Sequence, residues 1–148
     1  MKENRNEIEI QATAMQVWRV LTDLEKYAEW NPLLYRGQGK VETGKTVEVS
    51  ARTASKDMNF VCEVVRVEPY QEFAWKFHVI HPFLFRGEHI FRIEPSGEQS
   101  VKFTDRELFE GLLLPMQAKD LTTNGLAAMV EMGEALKKRV EQDKANES

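Results

Sequence analysis

The amino-acid sequence predicts an α+β protein in which a curved antiparallel sheet wraps around one long C-terminal helix. Three observations predict it. Between residues 46 and 109, apolar side chains recur with period two in runs separated by short turns. From about Pro115 to Val140 the composition becomes helical, with Met129, Met132 and Leu136 at spacings of three and four. The strands share an aromatic face that needs a cover, and a long helix needs an apolar surface. Laying the helix across the concave face of the sheet meets both needs.

The elements follow in order. Glu7-Ile8-Glu9-Ile10 alternates and predicts a short first strand with Ile8 and Ile10 inward. Thr13 stands as an N-cap, with Gln16 placed to complete a capping box. Met15, Trp18, Val20 and Leu21 make a short amphipathic helix. Asp23 restarts a turn or helix through Leu24, Tyr27 and Trp30. Asn31-Pro32 ends it, because the residue before a proline avoids the α region.

Thr46–Arg52 then puts Val47, Val49 and Ala51 on one face of a strand. From Met58 to Val67 the alternation is uneven: Phe60, Cys62 and Val64 share one face, and Val61, Val65 and Val67 the other. A bulge, or burial on both faces, accounts for that. Glu68-Pro69-Tyr70-Gln71 is a turn, and Phe73, Trp75 and Phe77 alternate with Ala74, Lys76 and His78. Phe85, Gly87, His89, Phe91 and Ile93 form the next row, and Pro95-Ser96-Gly97 turns the chain. Val101, Phe103, Asp105, Glu107 and Phe109 form the last row. Short turns between consecutive strands favour an antiparallel meander. Gly125 and Ala128 on the helix either allow close packing or leave room for a guest, and residues 141–148 read as a frayed charged tail.

The 148 residues fit a single domain, 1–148, with its core at about 5–140. A domain of this size buries roughly 68–70% of its unfolded surface, enough for one core with a cavity. The net charge of −4 argues against a nucleic-acid partner, whose phosphates call for clustered Lys and Arg. Cys62 is the single cysteine, so no internal disulfide forms, which fits a reducing compartment. The N-terminal residues are polar and lack a signal-peptide core. The longest apolar runs, such as Leu112-Leu113-Leu114-Pro115, fall far short of the roughly eighteen residues of a membrane span. A cytoplasmic protein with no membrane span is therefore expected. No metal or cofactor is expected either: His78 and His81 fall on opposite faces of a strand, and there is no cysteine pair. The residues specify no oligomeric state.

Several segments come in a telling order: Trp30-Asn31-Pro32, Val67-Glu68-Pro69, Phe73-Ala74-Trp75, Phe85-Arg86-Gly87-Glu88-His89-Ile90-Phe91, and Phe103-x-x-x-Glu107-x-Phe109-x-Gly111-Leu112-Leu113. From about residue 5 to about residue 140 the chain resembles the bacterial polyketide cyclase/dehydrase-like branch of the START-like (SRPBCC) superfamily. The resemblance implies a helix-grip fold. That is a seven-stranded antiparallel sheet, two short helices after the first strand, and a long C-terminal helix closing a hydrophobic cavity.

Trp30, Phe73, Trp75, Phe77, Phe91, Phe103 and Phe109 are the inward aromatic set, with Met129 on the helix. They form either a pocket wall or an ordinary dry core. His89 and Glu107 fall on the same face, on strands adjacent in sequence. Buried polar groups need partners. The two either bond each other, or fix the polar end of a ligand, or act as acid and base. Asp105 shares their face. Cys62 reads as core filler, and Arg52 and Arg86 as solvent-exposed. Three functions are weighed on these grounds. The first is binding of a hydrophobic small molecule such as a lipid, quinone or polyketide. The second is a cyclase or dehydratase using His89 and Glu107. The third is a co-chaperone-like or regulatory interaction module, marked by an exposed apolar patch in place of a deep cavity.

Overall fold

A computed structural model describes residues 1–52 and 57–147. Seven strands form one antiparallel sheet: β1 (Lys2–Ile10), β2 (Leu34–Gln38), β3 (Thr46–Arg52), β4 (Asp57–Glu68), β5 (Glu72–His78), β6 (Arg86–Gly97) and β7 (Ser100–Glu110). Their spatial order is β1-β7-β6-β5-β4-β3-β2. Two short helices follow β1: α1 (Ala14–Thr22), then a 3₁₀ turn (Leu24–Lys26) leading into α2 (Tyr27–Trp30). The chain ends in a 33-residue helix made of α3 (Leu114–Asp120), one π turn (Leu121–Gly125) and α4 (Leu126–Asn146). No helix among the described residues is long and apolar enough to cross a membrane.

The local rules act as the residues dictate. Thr13 caps α1: its side chain accepts from the Gln16 N–H, and the Gln16 side chain accepts from the Thr13 N–H. Asn31 ends α2 in an extended conformation, and its Oδ1 accepts from the N–H groups of Leu33 and Leu34 at 3.0 and 2.8 Å. The uneven pattern of β4 is a bulge: its register against β5 shifts between Val64 and Arg66. The shift returns Val67 to the core side while Val61 stays in solvent.

Several boundaries differ from the sequence expectation. β1 begins at Lys2, not Glu7, because its polar residues Asn4 and Asn6 also face inward, beneath the long helix. The α1 residues that reach the core are Val17 and Leu21, whereas Met15 is 52% exposed. Residues 34–38, where the sequence shows no strand alternation, are strand β2. Gly37 lies in it because the 3₁₀ turn presses so close that a Cβ would sit 2.9 Å from the Leu24 carbonyl oxygen. Pro95-Ser96-Gly97 is not the turn: β6 continues through it with a register shift, and the reversal falls at Glu98-Gln99.

The C-terminal expectation also changes. Residues 141–146 are helix, not a frayed tail. Glu141 accepts from the Gln11 N–H at 2.9 Å, Lys144 donates to the Gln11 carbonyl at 3.1 Å, and Arg139 pairs with Glu29 at 2.8 Å. These contacts tie the last turns of the helix to the β1–α1 corner and to α2. Partly exposed pairs contribute about 0–1 kcal/mol each. Deleting residues 141–148 is expected to lower Tm by about 3–6 °C, the equivalent of about 1–2 kcal/mol in a domain of this size. An unchanged melting curve would show that these turns add nothing.

Candidate functional site

The buried residues of the long helix are confined to α4: Met129, Met132, Gly133, Leu136 and Val140. They pack onto the sheet and α1. The preceding stretch, Leu114–Gly125, buries no residue fully. The Asn4 side chain donates to the Leu121 carbonyl at 2.8 Å and tethers the π turn to β1. Between this half of the helix and the concave sheet lies a cavity of about 330 Å³.

The sheet supplies most of the wall: Val49 and Ala51 from β3, Phe60 and Cys62 from β4, Trp75 and Phe77 from β5, His89 from β6, and Glu107 and Phe109 from β7. The helix supplies Gln117, Asp120, Leu121, Asn124 and Ala128. Leu34 comes from β2, and Leu33, Val79, Phe85 and Leu113 come from the connecting loops. Gly111 holds two of those loops together. It has a φ of +131°, and a Cβ there would lie 2.3 Å from the Leu84 carbonyl oxygen, so only glycine fits. The Leu113 N–H donates to that same oxygen at 2.9 Å.

The expected binding residues divide. Trp75, Phe77, His89, Glu107 and Phe109 line the cavity. Phe73, Phe91, Phe103 and Met129 are buried off its wall, and Trp30 packs edge-on against Tyr27 at 5.3 Å. Phe91 stacks on Phe73 at 4.6 Å and on the His89 ring at 4.0 Å, so the aromatic row is partly dry core and partly cavity wall. Arg52 is solvent-exposed as expected, and it also lies at the cavity, with its guanidinium 4.9 Å over the Tyr35 ring. The polar helix residues Gln117, Asp120 and Asn124 escaped the sequence reading. Their i, i+3, i+7 spacing was the signal, but a polar stripe normally faces water.

His89 and Glu107 are register partners across β6 and β7, so their side chains stand next to each other on the concave face. They are not hydrogen-bonded to each other, as one sequence reading had it. His89 Nε2 bonds Asp105 Oδ1 at 2.5 Å instead. Asp105 is fully buried at 0% exposure, and its Oδ2 has no partner among the described residues. His89, 3% exposed, keeps Nδ1 without a hydrogen bond to the described residues. The Glu107 carboxyl likewise makes none and is half-buried at the cavity wall.

Electrostatics follow from this packing. Burial pushes the His89 pKa down, but Asp105, Glu107 and the Asp105 hydrogen bond together raise it above its ordinary value. Burial pushes Glu107 up more than His89 pulls it down, and Asp105 adds to the rise. The Cys62 thiol is pushed up to about 12 by burial, so it stays protonated and is a poor nucleophile. Among the described residues no three His, Cys, Asp or Glu side chains converge as metal ligands.

The architecture is that of a helix-grip protein with a ligand-sized cavity. The chain belongs to the polyketide cyclase / dehydrase and lipid transport family, whose profile it matches over residues 1–143. No curated protein matches the chain. Among solved structures it is similar to TTHA0849 from Thermus thermophilus, with a TM-score of 0.77, 16% identity, and 96% of this chain and 99% of that chain covered. It is similar to a START superfamily protein from Mycobacterium smegmatis, with a TM-score of 0.73, 21% identity and coverage of 95% and 97%. It is also similar to norcoclaurine synthase from Thalictrum flavum in complex with dopamine and hydroxybenzaldehyde, with a TM-score of 0.70, 15% identity and coverage of 95% and 87%. At these identities the likeness shows the shared fold.

Two predictions test the polar cluster. Asp105→Ala leaves His89 buried without its partner and is expected to cost about 3–5 kcal/mol in urea unfolding. A loss below about 1 kcal/mol would mean the pair carries no such weight. The second concerns Glu107, whose pKa lies above the ordinary 4.5. The unfolded chain ionises this group near that pH while the folded chain holds its proton longer, so rising pH favours unfolding through this group. Glu107→Gln is expected to be more stable than wild type near pH 7. The gap should close below about pH 4, where both states are protonated. Parallel stability–pH curves would refute the assignment.

Proposed function

We propose that this protein binds a hydrophobic small molecule in the cavity between the sheet and the N-terminal half of the long helix. The observation that carries the reading is the cavity itself. Its wall is mostly aromatic and aliphatic, and its polar groups include a carboxyl and an imidazole nitrogen that no described protein group satisfies. Ligand sites commonly combine apolar walls with a few convergent polar groups. The family's description, which covers both polyketide cyclases and lipid transport, supports the same reading. Burying about 300 Å² of ligand surface gains about 7 kcal/mol. After several kcal/mol of association cost, an affinity near micromolar remains.

The His89–Asp105 pair beside Glu107 favours a second reading, an enzyme of the cyclase or dehydratase type. A carboxyl held protonated and an imidazole steadied by a carboxylate are suited to giving and taking protons at one ligand atom. The fold carries bound small molecules in norcoclaurine synthase, whose structure holds dopamine and hydroxybenzaldehyde. Fold alone does not assign a reaction.

Native mass spectrometry of protein purified from its own host tests the first reading, with the variant Ala128→Trp as control. Ala128 lines the cavity, and the larger ring fills it. A co-purifying small molecule is expected on wild type and is expected to be lost from the variant. Retention by the folded variant would place the ligand elsewhere. If the ligand returns chemically changed, and His89 or Glu107 substitutions stop the change while binding persists, the enzyme reading replaces the carrier.

A further inference from the structure

The cavity specifies more than hydrophobicity. Its polar cluster holds two carboxyls and one imidazole, and one imidazolium balances one carboxylate. His89 Nε2 is already committed to Asp105 Oδ1, so Asp105 is the balanced partner. Glu107 has no hydrogen bond to any described group. Arg52 lies on β3, four strands away from β7 in the sheet order, and its guanidinium sits over the Tyr35 ring. Asp120, on the helix side of the cavity, adds no positive charge. Tyr27, beside Asp105, donates its hydroxyl to the Leu21 carbonyl and is used up. An uncharged Glu107 therefore presents an O–H donor, and imidazolium Nδ1 presents an N–H donor next to it.

Two adjacent donors suit one acceptor. A carbonyl oxygen has two lone pairs and no hydrogen of its own, so it satisfies both without leaving a polar atom unpaired. A ligand ammonium would instead meet two donors and lose its own hydration. Size narrows the class further. A cavity of about 330 Å³ is at the small end of the range of ligand pockets. That suits a ligand of one ring or two fused rings.

We propose that Glu107 and His89 Nδ1 jointly donate to the carbonyl oxygen of an uncharged one- or two-ring ketone seated against Trp75 and Phe77. This rests on the cavity being a small-molecule site.

The test is a calorimetric series with the full chain and three near-isosteric probes: α-tetralone with a carbonyl, tetralin without one, and aminotetralin with an ammonium. Tetralone is expected to bind about tenfold tighter than tetralin, the equivalent of about 1.4 kcal/mol. Its carbonyl stretch is expected to move to lower frequency on binding. Glu107→Leu is expected to erase the preference, while Glu107→Gln, which keeps an N–H donor, retains part of it. Equal binding of tetralone and tetralin would overturn the carbonyl assignment but leave the cavity reading standing. Tightest binding of aminotetralin would overturn it by showing an ionised Glu107. If none of the three binds to wild type, the small-molecule reading of the cavity falls, and this inference with it.

Discussion

The structure depends on how little of the sheet one helix can cover. A seven-stranded sheet with a concave apolar face offers far more surface than a single helix stripe can bury. The α4 stripe, from Met129 to Val140, closes against β1 and α1 with side chains fully removed from water. Its closeness there is set by small groups: at Gly133 a Cβ would sit 2.8 Å from the Asn6 side chain. The preceding half of the helix has no such seat. It is held by the π turn and the Asn4–Leu121 bond, and it roofs the cavity. A π turn inserts one residue into the helical ladder, a feature found frequently at functional sites.

The sheet register turns that space into a chemical site. Pairing of β6 with β7 sets His89 opposite Glu107, and Asp105 opposite Phe91. Because side chains alternate along a strand, Asp105 and Glu107 share a face two residues apart. The deeper of the two takes the imidazole, and the other is left at the cavity. An unsatisfied, partly buried carboxyl opposes folding. Its retention beside a largely apolar core fits a local sacrifice of stability for function. The aromatic row beneath steadies the arrangement: Phe91 stacks on His89 and holds its ring plane.

Much of this was legible in the residues. The period-two runs located β3 to β7 closely, the uneven valines of β4 announced the bulge, Thr13 marked a helix start through its side chain, and Asn31-Pro32 marked a helix end through the proline. Each of these is a local effect, decided within a few residues of chain. The same reasoning failed where the partner was distant. β1 hid its inward Asn4 and Asn6 as polar residues, because only a helix more than a hundred residues away explains them. β2 hid behind glycines, because Gly37 answers to the 3₁₀ turn pressed on it. The last turns of α4 looked like a tail, because their anchor lies at Gln11.

The sequence by itself determined the fold class, the aromatic concave face, and the presence of His89, Asp105 and Glu107 on it, since alternation and order carry that information along the chain. Tertiary structure alone decided which aromatics are core and which are wall, that His89 bonds Asp105 and leaves Glu107 unpaired, and that Gln117, Asp120 and Asn124 face a cavity. Those outcomes turn on ångström-scale distances between strands and helix. Periodicity says which face a residue takes but not what it meets there.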